Sequence, residues 1–465
     1  MVSKIGQKFT DIFQRYMPNA FVFAIVLTLI VAFTALGWTT ASPLDIIKAW
    51  YNGFWTLLEF GMQIVLIIIT GYSIALSPLI GRGIDSLASY INSPKQVYFF
   101  VVLLGIILSM VSFGWVIITC VLARELAERV KGVHYPFLMA CVYFSINSWV
   151  TGFSSSIPLL LNTKNNYLIE AGVLAETIPT SYTLGSSLNI AMIGLFLLFA
   201  PIMILILIPK TQENQQIEDL KVNVENTLEP SIAEEANGLK LPSKSVSDFL
   251  NNNPILQLLI VAMGLAYIIY HFSSQGFDLN FNIMIFIFLM VGMLLHKTPM
   301  RYAISMKRSS SNISGILFQY PFYAGIMGIM LYTGLGEQLA NLLASFATRE
   351  NYAFFAYLTG GFVNFAIPSA GGEFAVVGPS ILNTIKEISV CLPQSEVTAM
   401  FSRASMSIAY GESLSNLLQP FFLLLVLPVM GKGIKIQARD VMGYLIIPFI
   451  LFFILQSLLV VFWPL

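Results

Sequence analysis

Four stretches of polar and small residues interrupt long apolar runs, and their side chains could bind an ion or a small organic anion. They lie at 112–115, 147–158, 364–373 and 410–420. Their hydroxyl and amide groups can both donate and accept hydrogen bonds. A helix that begins inside a membrane also presents unpaired N–H groups to an anion. We therefore predict a substrate-binding site formed by Ser112, Phe113, Gly114, Asn147, Thr151, Gly152, Ser154, Ser155, Ser156, Asn364, Pro368, Ser369, Gly371, Gly372, Ser413, Asn416 and Gln419.

Two acidic residues belong to the same stretches. Glu373 follows the third one, and Glu412 lies within the fourth. Carboxylates at membrane depth are costly and usually functional, so either could carry a proton or help to hold Na⁺. The alternative is a carboxylate paired inside a protein-lined cavity. Small residues in membrane helices also serve close helix packing, but four such stretches in symmetric positions favour a function.

Other kinds of site find little support in the sequence. The three cysteines and three histidines fit no metal or disulfide spacing, and there is no His-Glu-x-x-His or phosphate-binding glycine loop. We predict no catalytic residue, no metal site and no cofactor apart from a coupling Na⁺ or H⁺. The formal net charge of zero indicates no nucleic-acid partner.

The elements that hold these residues are membrane spans. The chain is 57% hydrophobic and 10% charged, far fewer charges than soluble domains carry. Spans of about 20 apolar residues can cross a bilayer as helices. The sequence predicts an all-α polytopic membrane protein with spans at 19–37, 54–80, 136–163, 189–208, 255–272, 281–296, 313–334, 401–430 and 441–464. The spans at 136–163 and 401–430 are predicted to be broken helices, because they contain the second and fourth polar stretches.

Two further apolar segments, 97–123 and 352–385, contain the first and third polar stretches. If both return to their own side as re-entrant hairpins, 19 of the 24 Lys and Arg residues lie inside and 5 outside. If each crosses once, the division becomes 10 against 14. Because cytoplasmic loops are rich in Lys and Arg, we predict two hairpins and a cytoplasmic N-terminus.

This topology is an inverted repeat, which is common in secondary transporters. Residues 1–208 form the first repeat and 281–465 the second, each with two spans, a hairpin, a broken span and a final span. The connecting span at 255–272 reverses the orientation between them. Residues 209–254 hold 8 of the 24 acids, so we predict a solvated, flexible cytoplasmic linker.

The charge distribution also bears on the substrate. The predicted spans contain almost no Lys or Arg, with Arg403 near an outer end as the exception. The negative charges of a substrate with two or three carboxylates would be poorly compensated there, whereas helix dipoles and hydroxyls could hold a monoanion. Aromatic residues flank the polar stretches and could accept a short apolar tail: Phe113, Trp115, Phe153 and Phe374.

Several motifs resemble the bacterial short-chain fatty acid transporter family, over nearly the whole chain. They are Trp50…Gly53-Phe54-Trp55…Phe60-Gly61-Met62-Gln63, Gly152-Phe153-Ser154…Pro158-Leu159-Leu160, Leu294-Leu295-His296-Lys297-Thr298-Pro299-Met300, Gln319-Tyr320-Pro321-Phe322-Tyr323-Ala324-Gly325-Ile326 and Ile408-Ala409-Tyr410-Gly411-Glu412…Asn416…Gln419-Pro420. The resemblance implies uptake of monocarboxylates such as butyrate or acetoacetate. It further implies a homodimer in the bacterial inner membrane, with a scaffold from 19–80 and 281–334. The hairpins and broken helices would then move like an elevator.

The sequence is also compatible with other functions. A related transporter could carry another organic anion, such as a dicarboxylate or an aminoacyl compound. A membrane-embedded enzyme or a channel is less favoured, because no paired nucleophile and base or metal set lies at mid-span.

Overall fold

The chain folds almost entirely into helices. Across the ranges that the structure describes, there is no β-strand, only an isolated antiparallel bridge between Lys221 and Ile434. The predicted all-α polytopic fold class is therefore confirmed. Lys4 and Lys8, which contributed to the predicted orientation, lie outside the described residues. The computed structural model describes residues 15, 18–56, 58–164, 166–170, 172–209, 215–222, 230–240, 245–276, 280–311 and 313–464.

Twenty-five α-helices are present in those ranges. In chain order they are α1 Ala20–Trp38, α2 Pro43–Thr56, α3 Leu58–Ala75, α4 Pro78–Ala88, α5 Pro94–Val111, α6 Val116–Arg129, α7 Tyr135–Ile146, α8 Ser156–Leu161, α9 Tyr167–Glu170, α10 Ser187–Gly194, α11 Ala200–Leu207, α12 Ile217–Leu220, α13 Ile232–Gly238, α14 Val246–Asn252, α15 Pro254–Gln275, α16 Phe281–His296, α17 Pro299–Ser309, α18 Ser314–Tyr332, α19 Leu335–Ala344, α20 Tyr352–Val363, α21 Ala370–Ile388, α22 Gln394–Ser415, α23 Leu423–Met430, α24 Ala438–Met442 and α25 Ile446–Phe462. A π-helix, Leu195–Phe199, joins α10 to α11.

Each of the nine predicted spans overlaps one described helix or a series of consecutive helices joined at a break. Six described helical segments are long and apolar enough to cross a membrane, and up to eight if each bent pair counts as one span. The span predicted at 54–80 is a bent pair, because α3 and α4 meet at 61°. Ser77 caps α4 and Pro78 begins it, and proline at a first helical position favours a new helix over continuation of the old one.

Each predicted hairpin consists of two helices that contact each other. In the first, α5 and α6 pack together and are separated by Ser112, whose extended backbone (φ −157°, ψ 134°) ends α5, and by a 3₁₀ turn at Phe113–Trp115. In the second, α20 and α21 pack together and are separated by residues 364–369. The helices therefore break within the predicted polar stretches.

The two predicted broken spans share one construction. Helix α7 ends before a 3₁₀ turn at Asn147–Thr151, and α8 follows. Likewise, α22 ends before a 3₁₀ turn at Asn416–Leu418, and α23 follows at an angle of 49°. In both, an asparagine begins the turn. The inverted relation of the two repeats stays a prediction.

The helices pack as two bodies, which we name by their contents. The support body comprises α1–α3 and α15–α18, and the hairpin body comprises α5–α8, α10, α11 and α19–α25. Within the support body, α2 and α18 cross closely at two glycines. A Cβ at Gly53 would lie 2.6 Å from the Ala324 carbonyl oxygen, and one at Gly328 would lie 2.8 Å from the Gly53 nitrogen. Small residues allow such close helix packing in membranes.

The region predicted to be a solvated linker differs from that expectation in its described parts. Ile217 in α12 and Ala236 in α13 are buried, and α13 and α14 pack against α17. Ser231 and Glu234 form a capping box at the start of α13, which lowers the pKa of the Glu234 carboxyl. The acidic composition of 209–254 predicted a solvated segment, but Ile217 and Ala236 are buried in contacts with the helical bodies.

The glycine crossing generates a stability prediction. In Gly328→Ala, the added methyl group would overlap backbone atoms of α2, and overpacking of this kind costs about 1–3 kcal/mol. We expect a lower thermal unfolding midpoint for the purified protein in detergent. Gly194→Ala is the matched control, because a Cβ there meets nothing within 4 Å. Equal midpoints for the two variants would contradict the described crossing.

Candidate functional site

The second hairpin is joined to the second broken helix by one buried amide. The Asn364 side chain donates to the Glu412 carbonyl oxygen at 3.0 Å, to Ser415 Oγ at 2.7 Å and to Asn416 Oδ1 at 2.9 Å. Gln419 Nε2 in turn donates to the Asn364 carbonyl oxygen at 3.1 Å and to Asn416 Oδ1 at 3.0 Å. The backbone is irregular on both sides of this cluster, so side-chain amides take the place of helical hydrogen bonds.

This cluster retains unused hydrogen-bonding groups. Asn364, Asn416 and Gln419 are at most 1% exposed. Among the described residues, Asn364 Oδ1, Gln419 Oε1 and Asn416 Nδ2 have no partner. A buried polar group left unpaired costs about 1–3 kcal/mol, and each such group therefore calls for an explanation. Together they offer two acceptors and one donor to a polar ligand.

The two broken helices meet beside this cluster. Ser413 Oγ donates to the Asn147 carbonyl oxygen at 2.6 Å. The Tyr143 hydroxyl, in α7, reaches the Asn416 carbonyl oxygen at 2.8 Å and the Gln419 carbonyl oxygen at 2.9 Å. The polar turns of the two halves thus form one buried polar layer that contains Asn147, Ser413, Asn416 and Gln419. That these residues bind a substrate stays a prediction.

The first hairpin is bound to its own broken helix by backbone contacts. The Phe113 N–H donates to Ser154 Oγ at 3.0 Å, and the Phe153 N–H donates to the Met110 carbonyl oxygen at 2.8 Å. Gly152 packs directly against the backbone of Met110, where a Cβ would overlap it. Glycine is therefore required at this position for the hairpin and the turn to approach.

Both hairpins present a glycine to the support body near their breaks. A Cβ at Gly114 would lie 2.5 Å from Cδ1 of Ile67 in α3, and one at Gly372 would lie 3.4 Å from Sδ of Met327 in α18. Gly371, by contrast, meets nothing within 4 Å. The breaks therefore lie at the boundary between the two bodies.

The two acidic residues are fully buried. Glu373 lies in the first turn of α21 and Glu412 in α22, and both are 0% exposed. Their four carboxyl oxygens have no hydrogen-bond partner among the described residues, and the two groups lie within electrostatic range of each other. No Lys or Arg is buried in the described part of the chain. An unpaired carboxylate in such surroundings is very unfavourable, so a proton or a cation is the natural partner.

The other predicted residues occupy the same breaks with varied exposure. Ser155 Oγ is buried with no partner in the described ranges, and Thr151 Oγ1 donates to the Ser148 carbonyl oxygen at 2.7 Å. Ser112 and Pro368 are buried, and Ser156 and Ser369 are half-buried. Of the aromatic residues expected to hold an apolar tail, Phe113, Trp115 and Phe374 are at least partly buried. Phe153, by contrast, is 53% exposed.

Several residues of the layer were not among the predicted site residues. Asn189 Nδ2 donates to the Thr151 carbonyl oxygen at 3.0 Å, and Asn189 Oδ1 accepts from the Tyr410 hydroxyl at 3.0 Å. Tyr143 and Ser415 also contribute, as described above. The only sequence feature that could have indicated these residues is a polar side chain inside or at the edge of an apolar run. No group of three His, Cys, Asp or Glu side chains suited to a metal occurs in the residues described.

Buried polar breaks within a bundle of apolar helices define the class: an integral membrane protein of the transporter type. Comparison with known sequences identifies the family within this class. The model of the family described as short chain fatty acid transporter matches residues 1–463. The chain belongs to this family and is a transporter, not an enzyme.

Curated relatives agree with the family match. A protein of Escherichia coli (strain K12) named as a short-chain fatty acid transporter is 33% identical over 447 residues, covering 96% of each chain. A protein of Haemophilus influenzae (strain ATCC 51907 / DSM 11121 / KW20 / Rd) with the same name is 31% identical over 450 residues, again covering 96% of each chain.

Two solved transporter structures show a weaker likeness. The YdaH transporter of Alcanivorax borkumensis has 15% identity and a TM-score of 0.45, with 96% of this chain and 98% of that chain covered. Neisseria gonorrhoeae MtrF has 14% identity and a TM-score of 0.39, covering 98% and 97%. Both TM-scores lie below 0.5, so they do not establish a shared fold.

The Asn364 amide generates the second prediction. Asn364→Ala removes the amide that joins the hairpin to Glu412, Ser415 and Asn416, and the loss of hydrogen bonds inside a buried polar cluster costs about 1–3 kcal/mol. We expect a lower unfolding midpoint in detergent, measured by intrinsic tryptophan fluorescence. Asn341→Ala, at an exposed position in α19, is the control and should change the midpoint little. A midpoint unchanged in both variants would show that this amide does not hold the hairpin to the broken helix.

Proposed function

We propose that this protein is a secondary active transporter that carries short-chain monocarboxylates, such as butyrate or acetoacetate, together with a cation or a proton. Membership of the short-chain fatty acid transporter family supports the substrate class. The names of the Escherichia coli and Haemophilus influenzae relatives support it too.

The observation that carries the proposal is the buried polar layer with unpaired amide groups and no buried Lys or Arg in the described ranges. Asn416 Nδ2 is a free donor for a carboxylate oxygen, and the start of α21 adds helix N–H groups. One negative charge can be held by such dipoles. A second carboxylate would face Glu373 and Glu412 without a compensating cation.

Glu373 and Glu412 are the proposed coupling residues. If one carboxyl takes up a proton or helps to bind Na⁺ when substrate enters, the bound pair crosses the membrane with less net charge. This lowers the electrostatic cost of movement through an apolar environment. A carboxylate that only stabilises the cavity is the competing explanation, and replacing each carboxyl by an amide separates the two.

We propose that the hairpin body moves relative to the support body during transport. The hairpin body carries the polar layer, and the breaks of both hairpins lie against the support body at Ile67 and Met327. An elevator-type displacement of the hairpin body would expose the layer on alternate sides, with the support body fixed in a homodimer. We further propose a bacterial inner-membrane location with the N-terminus in the cytoplasm. Transport of another organic anion, a dicarboxylate or an aminoacyl compound, is the alternative.

Uptake into proteoliposomes tests the substrate class and the coupling ion. Purified protein should accumulate labelled butyrate when either a proton gradient or a Na⁺ gradient is imposed, and unlabelled acetoacetate should compete. Succinate and citrate should compete poorly, because their second charge is uncompensated. Accumulation under neither gradient would sink the symport proposal, and equal competition by succinate would favour the dicarboxylate alternative.

The coupling residues are tested by neutralising one carboxyl at a time. Glu412→Gln should reduce gradient-driven butyrate accumulation at least about tenfold, since a coupled group shifts the energetics by more than 1.4 kcal/mol. Butyrate exchange without a gradient should be retained. Glu387→Gln, at the exposed end of α21, is the matched control. Full accumulation by Glu412→Gln and by Glu373→Gln would remove both residues from coupling.

A further inference from the structure

Tyr323, in α18 of the support body, carries a buried hydroxyl that the site described above does not use. The side chain is 0% exposed, and the hydroxyl has no hydrogen-bond partner among the residues that the structure describes. Buried tyrosine hydroxyls usually find a partner, because an unpaired polar group in the interior costs free energy. The unused hydroxyl of Tyr323 therefore calls for an explanation.

The ring of Tyr323 lies against the second broken helix. It meets the ring of Phe421 edge to face, with the two centroids 4.8 Å apart. Phe421 lies two residues after Gln419, in the turn that leads into α23. The ring of Tyr320 also contacts Phe421, at 4.9 Å between centroids. These aromatic contacts hold Tyr323 against the segment that carries the polar layer.

The hydroxyl of Tyr323 lies near the same turn. It is within electrostatic range of the Tyr143 hydroxyl, which donates to the carbonyl oxygens of Asn416 and Gln419 at 2.8 Å and 2.9 Å. Asn416 also holds the unpaired Nδ2 group. One unused hydroxyl from the support body and one unused amide from the hairpin body thus border a single turn.

The face of α18 that carries Tyr323 also borders the second hairpin. Met327 lies four residues after Tyr323 and therefore on the same helix face. A Cβ at Gly372 would lie 3.4 Å from Sδ of Met327. Gly372 directly precedes Glu373 in the first turn of α21. This face of α18 therefore borders both polar segments of the second half, the hairpin break and the broken-helix turn.

We propose that Tyr323 is a substrate-binding residue, whose hydroxyl donates to the carboxylate of the monocarboxylate from the support body while Asn416 Nδ2 donates from the hairpin body. This rests on the substrate class proposed above. A carboxylate has two oxygens and accepts several hydrogen bonds, so it can use both donors at once. The phenol adds a donor in a region where no Lys or Arg is buried in the described ranges. Bound substrate then joins the two bodies.

A packing role for Tyr323 is the competing explanation, because its ring contacts alone would account for its burial. The two explanations depend on different parts of the side chain. Packing depends on the ring, which Tyr323→Phe keeps, and no hydrogen bond within the described ranges is lost with the hydroxyl. Substrate binding depends on the hydroxyl, which Tyr323→Phe removes.

Equilibrium binding of labelled butyrate to the purified protein in detergent separates these explanations. Tyr323→Phe should weaken butyrate binding about tenfold, because a hydrogen bond to a charged group is lost, whereas the thermal unfolding midpoint should not fall. The affinity for acetoacetate, measured by competition, should fall by the same factor, since both substrates present the same carboxylate.

Tyr352→Phe is the matched control. The Tyr352 hydroxyl is also buried without a partner in the part of the chain that the structure describes. It lies at the start of α20, at the opposite end of that helix from Asn364. Tyr352→Phe should therefore leave the affinity for butyrate unchanged.

The possible results distinguish a failure of this proposal from a failure of the proposed function. If the unaltered protein binds butyrate and folded Tyr323→Phe binds it equally well, Tyr323 does not contact the carboxylate and the proposed function stands. Weaker binding with a lower unfolding midpoint, equal weakening in Tyr352→Phe, or weaker binding of butyrate but not of acetoacetate would also overturn the role of Tyr323. Absence of butyrate binding by the unaltered protein would refute the proposed function, and this proposal with it.

Discussion

The need to pair polar backbone and side-chain groups inside an apolar bundle governs this structure. Two hairpins and two broken helices place irregular backbone among membrane helices, where each unpaired group is costly. In the second half, the Asn364 amide joins the hairpin to the broken helix, because its two N–H groups lie within hydrogen-bond distance of three acceptors there. In the first half, Ser154 and Gly152 allow the backbone of the hairpin to pair directly with the turn. The groups left over after this pairing are the ones available to a ligand.

The same constraint explains how the bodies are divided. The hairpin body holds the polar breaks at 112–115, 147–151, 364–369 and 416–418. In the support body, α2 and α18 cross at Gly53 and Gly328. Gly114 and Gly372, near the hairpin breaks, have no side chain, so the polar layer can lie close to Ile67 and Met327 of the support body. The hydrogen bonds of the polar layer join elements of the hairpin body to one another, so this body can move without breaking them. The described parts of the region between the repeats contact both bodies.

Much of this could be predicted from the sequence, for identifiable reasons. Charge-free runs predicted the all-helical membrane fold, and polar stretches such as 147–158 predicted where helices break, because both are local features of composition. Partners were not predictable, since the bond between Ser413 and Asn147 joins residues 266 positions apart. Asn189 and Tyr143 were missed because a single polar residue in an apolar run does not show which way it faces. The docking of 215–222 and 230–240 was hidden by their acidic composition, and α4 was not foreseen as a separate helix after Ser77.

The central claim is that the layer around Asn416 binds a monocarboxylate. Equilibrium binding of labelled butyrate to the purified protein, measured by scintillation proximity, tests it most directly. We expect saturable binding that acetoacetate displaces and succinate does not. Asn416→Ala should weaken this binding about tenfold or more through loss of the free donor. Unchanged butyrate affinity in a folded Asn416→Ala protein, or displacement by succinate as effective as by acetoacetate, would contradict it.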